Sequence, residues 1–162
     1  MKRVVIGSFL VSALATGIVA YPKLSSAGTF WARHSAAECN TVAGGADSFV
    51  DGGNNLSANS MILYCRTHDT AAQQRANVAW VNVHAEDNSS SQDIQALRCI
   101  KFTGASGAAC GSSAISSGTG QKFLNPPTFA QWTNGDFGYI YVLLPPRGTG
   151  VSSKLNGYSM GD

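Results

Sequence analysis

Three histidines, nineteen serines and nine aspartates and glutamates place the ingredients of acid–base and nucleophilic chemistry in this chain of 162 residues. Their spacing decides how much of that chemistry is available. A serine nucleophile on a strand-to-helix elbow needs Gly-x-Ser-x-Gly. Gly104-Ala105-Ser106-Gly107-Ala108 lacks the last glycine and lies in a glycine- and serine-rich stretch with no helix pattern after it. Paired carboxylates for glycoside cleavage must face each other across a cleft. The only glutamates are Glu38 and Glu86, and Glu86 and Asp87, as neighbours on a strand end, point to opposite faces. Zinc wants His or Cys ligands at short spacing, which His34, His68 and His84 do not offer. The oxygen-rich stretch from Glu86 to Asp93 resembles the flexible loops that calcium prefers, with Glu86, Asp87 and Asp93 as candidate ligands. Asp47 to Asn55 is a second such stretch, and neither follows the EF-hand spacing. No other cofactor is implied. A non-enzymatic protein is therefore expected, with a small secreted hydrolase as the alternative.

Recognition chemistry is better supplied. In Val78-Ala79-Trp80-Val81-Asn82-Val83-His84-Ala85 the side chains alternate, as on a strand with one buried face. Ala79, Val81, Val83 and Ala85 form the expected core face. Trp80, Asn82 and His84 then form an outward row of indole, amide and imidazole. An aromatic ring framed by amides is what a sugar ring stacks and hydrogen-bonds against, and β-sandwiches present such surfaces on their sheets or at their loop tips. Trp132 with Asn134, Asp136 and Tyr139 makes a second candidate. The partners implied are polysaccharides or cell-surface components.

These residues need strands to position them. Short apolar runs separated by Gly, Ser, Asn and Pro are the pattern of an all-β protein. The clear runs are Met61–Cys65, Val78–Ala85, Leu97–Phe102, Phe137–Leu144 and Val151–Met160, the last carrying the tight-turn dipeptide Asn156-Gly157. Weaker candidates lie at Phe30–Arg33, Ser48–Val50 and Lys122–Leu124. Helix signals are thin: Asp69–Arg75 reads as one turn and Ser91–Leu97 as another. Gly104–Gly120 reads as a long loop tethered by Cys110. The expected fold is an antiparallel β-sandwich of roughly seven to nine strands, with the jelly roll as its candidate topology and two disulfides.

Residues 1–27 read as a secretory signal peptide. Lys2 and Arg3 precede an apolar run from Val4 to Ala20, and Ser25-Ser26-Ala27 supplies small residues at a cleavage site. Residues 28–162 then form a single secreted domain with no membrane anchor, placed outside the cytoplasm or in the periplasm. Removing Lys2, Arg3 and Lys23 leaves eight basic residues against nine acidic ones, a net charge of −1. No basic cluster remains to follow a phosphate backbone, so nucleic acid is not an expected partner. An even set of four cysteines in an exported chain reads as two disulfides. Of the three pairings, Cys39–Cys65 with Cys99–Cys110 closes the two most local loops.

The order of features resembles a group of small exported bacterial proteins. It rests on an early cysteine (Cys39), a strand ending in cysteine (Cys65), a valine-rich strand ending near an aspartate (Val78 to Asp87) and a strand with a third cysteine (Cys99). Tyr139-Ile140-Tyr141 and the Pro145-Pro146 turn complete it. The late strand here continues Val142-Leu143-Leu144, and the fourth cysteine is Cys110 in the long loop. The resemblance implies a β-sandwich and supplies no activity. In a bacterial host the sequons at Asn55 and Asn88 carry no weight.

Overall fold

Alternation of apolar and polar residues at a period of two produces the main strands, and two packed sheets bury their apolar halves. The computed structural model describes residues 31–43, 52–67, 75–102, 104, 107–133, 137–149 and 151–162. The signal peptide expected over 1–27, the strand candidate Ser48–Val50, nearly all of the Asp69–Arg75 turn, and Asn134 and Asp136 lie outside the described residues. The strands are β1 (Trp31–Ser35), β2 (Cys39–Ala43), β3 (Gly53–Asn54), β4 (Met61–Arg66), β5 (Trp80–Asp87) and β6 (Gln95–Lys101). They continue as β7 (Ala108–Cys110), β8 (Ala114–Ile115), β9 (Gly120–Leu124), β10 (Phe137–Leu144) and β11 (Lys154–Gly161). Where a loop was expected over Gly104–Gly120, the short strands β7 and β8 pair with β6.

The first sheet runs β1-β11-β5-β9, with β3 also on β11, and the second runs β2-β4-β10-β6-β7, with β8 also on β6. All pairings are antiparallel. With β2, β3 and β8 set aside, eight strands remain. In chain order they lie first-eighth-third-sixth in one sheet and second-seventh-fourth-fifth in the other, the order of a jelly roll. Consecutive strands mostly change sheets, so the corners matter. At the first corner a capping box turns β1 into β2: Ala37 N–H donates to Ser35 Oγ and Ser35 N–H to a Glu38 carboxylate oxygen, each at 3.2 Å.

The core lies between the sheets. Val81, Val83 and Ala85 of β5, beside Tyr158 and Met160 of β11, share one buried cluster with Leu63, Ile140 and Val142 of the second sheet. Ala79, expected among them, precedes the strand and is exposed. Two charged side chains close the sandwich at opposite ends of β5 and β6. Asp87 is fully buried and accepts hydrogen bonds from Ser89 N–H (3.0 Å), Ser153 Oγ (3.1 Å), Ile94 N–H (3.2 Å) and Ser116 Oγ. Arg98 is buried at the other end, with Nε donating to the Pro126 carbonyl at 2.8 Å and its terminal nitrogens reaching the Val78 and Ala79 carbonyls.

A further sequence expectation changes. Asn156-Gly157 makes no tight turn; β11 runs through it with a bulge between Leu155 and Gly157. The strand is retained because a Cβ at Gly157 would collide with the His34 carbonyl, so the glycine lets β1 close against β11. Asn55 is buried, its amide donating to the Asn59 and Pro145 carbonyls at 2.7 and 2.8 Å, so it is a structural peg and no glycan acceptor.

The expected disulfides, Cys39–Cys65 and Cys99–Cys110, are both present. Each joins directly paired residues of adjacent strands, β2 to β4 and β7 to β6, so both outer strands of the second sheet are covalently held.

Asp87→Ala should lower the unfolding free energy by about 3 kcal/mol or more, because buried donors lose a charged acceptor. Chemical denaturation checks this, and Asp93→Ala, at an exposed position, should stay within about 0.5 kcal/mol of the parent.

Candidate functional site

The outward face of the first sheet carries the candidate site. Residues directly opposite in antiparallel strands share a face, so the register assembles the surface row by row. Trp31 of β1, Gly161 of β11 and Trp80 of β5 lie in one row. Arg33, Ser159 and Asn82 form the next. Ser35, Gly157, His84 and, on β9, Phe123 form the third. Beyond them Lys154, Glu86 and Gln121 align.

The central strand thus contributes Gly, Ser and Gly. Ser159 is buried under its neighbours, whereas Trp31 and Phe123 stand 52% and 71% exposed. The result is a shallow trough in which the small β11 residues are themselves buried beneath the flanking side chains. One wall is Trp31 and Arg33, and the other is Trp80, Asn82 and His84, backed by Phe123. With strands about 4.8 Å apart, the walls on β1 and β5 are separated by roughly 10 Å.

The side chains around the trough hold one another in place. The Arg33 guanidinium lies 4.3 Å from the centre of the Trp31 ring, a cation–π contact. His84 Nε2 is 2.8 Å from Ser159 Oγ, and its ring meets Phe123 edge-on with centroids 5.0 Å apart. Partial burial and then the positive charge of Arg33 lower the His84 pKa, so the imidazole is neutral at neutral pH. At the far end Lys154 Nζ pairs with Glu86 at 2.9 Å, and Gln121 donates to the same carboxylate. These contacts, with Lys154 foremost, hold Glu86 below its ordinary pKa.

The predicted row Trp80, Asn82 and His84 does come together on one partly exposed face. The second candidate does not. Trp132 is 2% exposed, packed 6.3 Å from Phe129 and 5.5 Å from the Arg98 guanidinium, beneath a shallow groove that Val78, Thr128 and Phe129 also line. Tyr139 lies on the outward face of the second sheet, its ring tilted against that of Tyr64 with centroids 4.8 Å apart. Arg98, the contact of Trp132, points from that sheet into the sandwich. Closeness in sequence had joined two residues that the sheet separates.

The calcium candidates also part company. The strand stays extended through Asp87, so Glu86 faces out to Lys154 while Asp87 faces in to its four donors, and Asp93 is exposed on the loop. Among the described residues no three His, Cys, Asp or Glu side chains converge as a metal site. Also among the described residues, no helix is long and apolar enough to cross a membrane.

Sequence reasoning missed Trp31, Arg33, Phe123 and Ser159. Their alternation was present in Trp31-Ala32-Arg33 and in Gln121-Lys122-Phe123-Leu124, but only the pairing shows that these strands flank β5 and β11. No protein family, curated protein or solved structure matches the chain.

The lowered His84 pKa has a thermodynamic consequence. On acidification the unfolded chain takes up this proton first, near the ordinary value of 6.5, and the folded chain only at lower pH. Stability should therefore fall as pH drops below about 6.5 and level off once the folded pKa is passed. Thermal melts from pH 7.5 to 4.5 should show a shallower decline in that window for His84→Gln than for the parent.

Proposed function

We propose that this protein is an exported, non-enzymatic binding module whose ligand is a polysaccharide held along the outward face of the first sheet. The observation that carries the reading is the trough itself. Trp31 and Phe123 stand exposed on β1 and β9 and Trp80 is partly exposed on β5, around the small Gly-Ser-Gly residues of β11 and interleaved with a neutral imidazole, an amide and a guanidinium. Exposed aromatic groups left uncovered in this way mark binding surfaces. Sugars offer both apolar ring faces and hydroxyls, which matches stacking on Trp80 and hydrogen bonding to Asn82 and His84. Export is supported by the leader-like residues 1–27 and by two disulfides, which persist in oxidising compartments.

One contact favours a hydrolase. His84 and Ser159 sit at the separation of a general base and its nucleophile. The pair is poorly equipped for catalysis. Ser159 is nearly fully buried, no described carboxylate orients the other imidazole nitrogen, and the backbone of β11 is committed to ladders on both sides. The pair is better read as a brace that fixes the ring orientation of His84. Turnover on ester or glycoside panels that vanishes in both Ser159→Ala and His84→Ala would reverse this reading.

The direct test is retention of the purified protein on insoluble or gel-immobilised polysaccharides. Trp80→Ala should abolish retention while changing the unfolding free energy by about 1 kcal/mol or less. Trp132→Ala should do the opposite, costing about 3–5 kcal/mol as a core truncation. It should leave binding intact at temperatures where the variant stays folded.

A further inference from the structure

We infer that the trough selects acidic polysaccharides, with Arg33 taking the carboxylate of a uronic acid. This rests on the polysaccharide reading above and names the class within it. The argument begins with the charges on the face. Lys154 and Glu86 neutralise each other at 2.9 Å, and His84 is uncharged at neutral pH. Asn82, Ser159, Gln121 and the three aromatic residues bring no charge. Among these described row residues, Arg33 is left as the charge with no ion-pair partner.

Its placement matters as much as its sign. Arg33 sits mid-strand on the β1 wall, directly across Ser159 from Asn82. Its guanidinium is held over the Trp31 ring instead of trailing into solvent. A fork fixed in this way loses little freedom on binding, and its planar donors fit a carboxylate in two parallel hydrogen bonds. The ring face of Trp31 is already occupied by Arg33, so the sugar stacks on the opposite wall, on Trp80. A pyranose ring lying between the two walls, above the buried Gly161–Ser159 stretch, would then direct one edge to Asn82 and His84 and the other to Arg33. A neutral polymer satisfies the aromatic and amide side of the trough but leaves the guanidinium without a counter-charge. The protein without its leader carries a net charge of −1, so bulk attraction does not draw in polyanions, and selectivity must come from this local cation.

The test compares carboxylated polymers with a neutral ester of one of them and with a sulfated polyanion. The protein without residues 1–27, the form whose net charge is −1, is assayed by affinity electrophoresis and calorimetry against polygalacturonate, alginate and hyaluronan, with fully methyl-esterified polygalacturonate as the neutral counterpart and dextran sulfate as a polyanion without carboxylates. At least one carboxylated polymer should bind ten-fold or more tighter than the methyl ester and than dextran sulfate. Arg33→Gln should erase that preference with only a small shift in the melting temperature, since Arg33 is exposed and its contact with Trp31 is at the surface; Arg33→Lys should restore only part of it. Equal binding of the acid and its ester, or a preference unchanged in Arg33→Gln, overturns the inference and leaves the polysaccharide reading standing. Equal or tighter binding to dextran sulfate overturns carboxylate selectivity. No binding to these polymers or to neutral cellulose, chitin and xylan overturns both.

Discussion

A single buried carboxylate sets the frame on which the rest of the molecule is hung. Asp87 ends β5 in the first sheet, and its oxygens collect the Ser89 and Ile94 amides of the crossing to β6, the Ser116 hydroxyl beside β8 and the Ser153 hydroxyl before β11. One side chain thereby gathers both sheets and two later segments at one end of the sandwich. A buried charge is tolerated only when its acceptor sites are filled, so those four donors must all arrive for the fold to close. The network also fixes the parity of β5. With Asp87 inside, Val81, Val83 and Ala85 are inside as well, and Trp80, Asn82 and His84 are necessarily outside. A slip by one residue would bury the aromatic row and expose the valines.

Arg98 does the corresponding work at the opposite end by different means. It has carbonyl oxygens and the Trp132 ring for neighbours, and burial draws its pKa down to about 10. The charge is retained but hydrated by backbone dipoles, and the large indole caps it. Polar plugs at both ends leave a purely apolar middle, which is where the two sheets meet.

The strands were legible because their apolar residues repeat at a period of two, and the disulfides because nearest pairing in the chain was also pairing across adjacent strands. Asn156-Gly157 was misread because the same dipeptide that makes a hairpin also makes a bulge; which one forms depends on whether a neighbouring carbonyl, here that of His34, needs the space. The candidate site was half legible. The β5 row follows from alternation within one segment, whereas Trp31, Arg33, Phe123 and Ser159 join it only through long-range register. Trp132 shows the reverse error: its type invited a surface role, but a buried guanidinium gave the indole an interior partner that composition could not disclose.

The location of the two disulfides makes the halves of the sandwich mechanically unequal. In the second sheet both outer strands are tied to their inner neighbours, β2 to β4 and β7 to β6, so neither peels away while the bonds are intact. The first sheet ends in β1 and β9, held by hydrogen bonds and side-chain packing alone. Fraying and amide exchange should therefore concentrate on that side, where local opening costs least. Those are the strands that carry Trp31, Arg33 and Phe123. A polymer lying across the trough would touch β1, β5 and β9 together and act there as the missing crosslink, so that occupancy stiffens the half of the molecule that covalent chemistry left free to breathe.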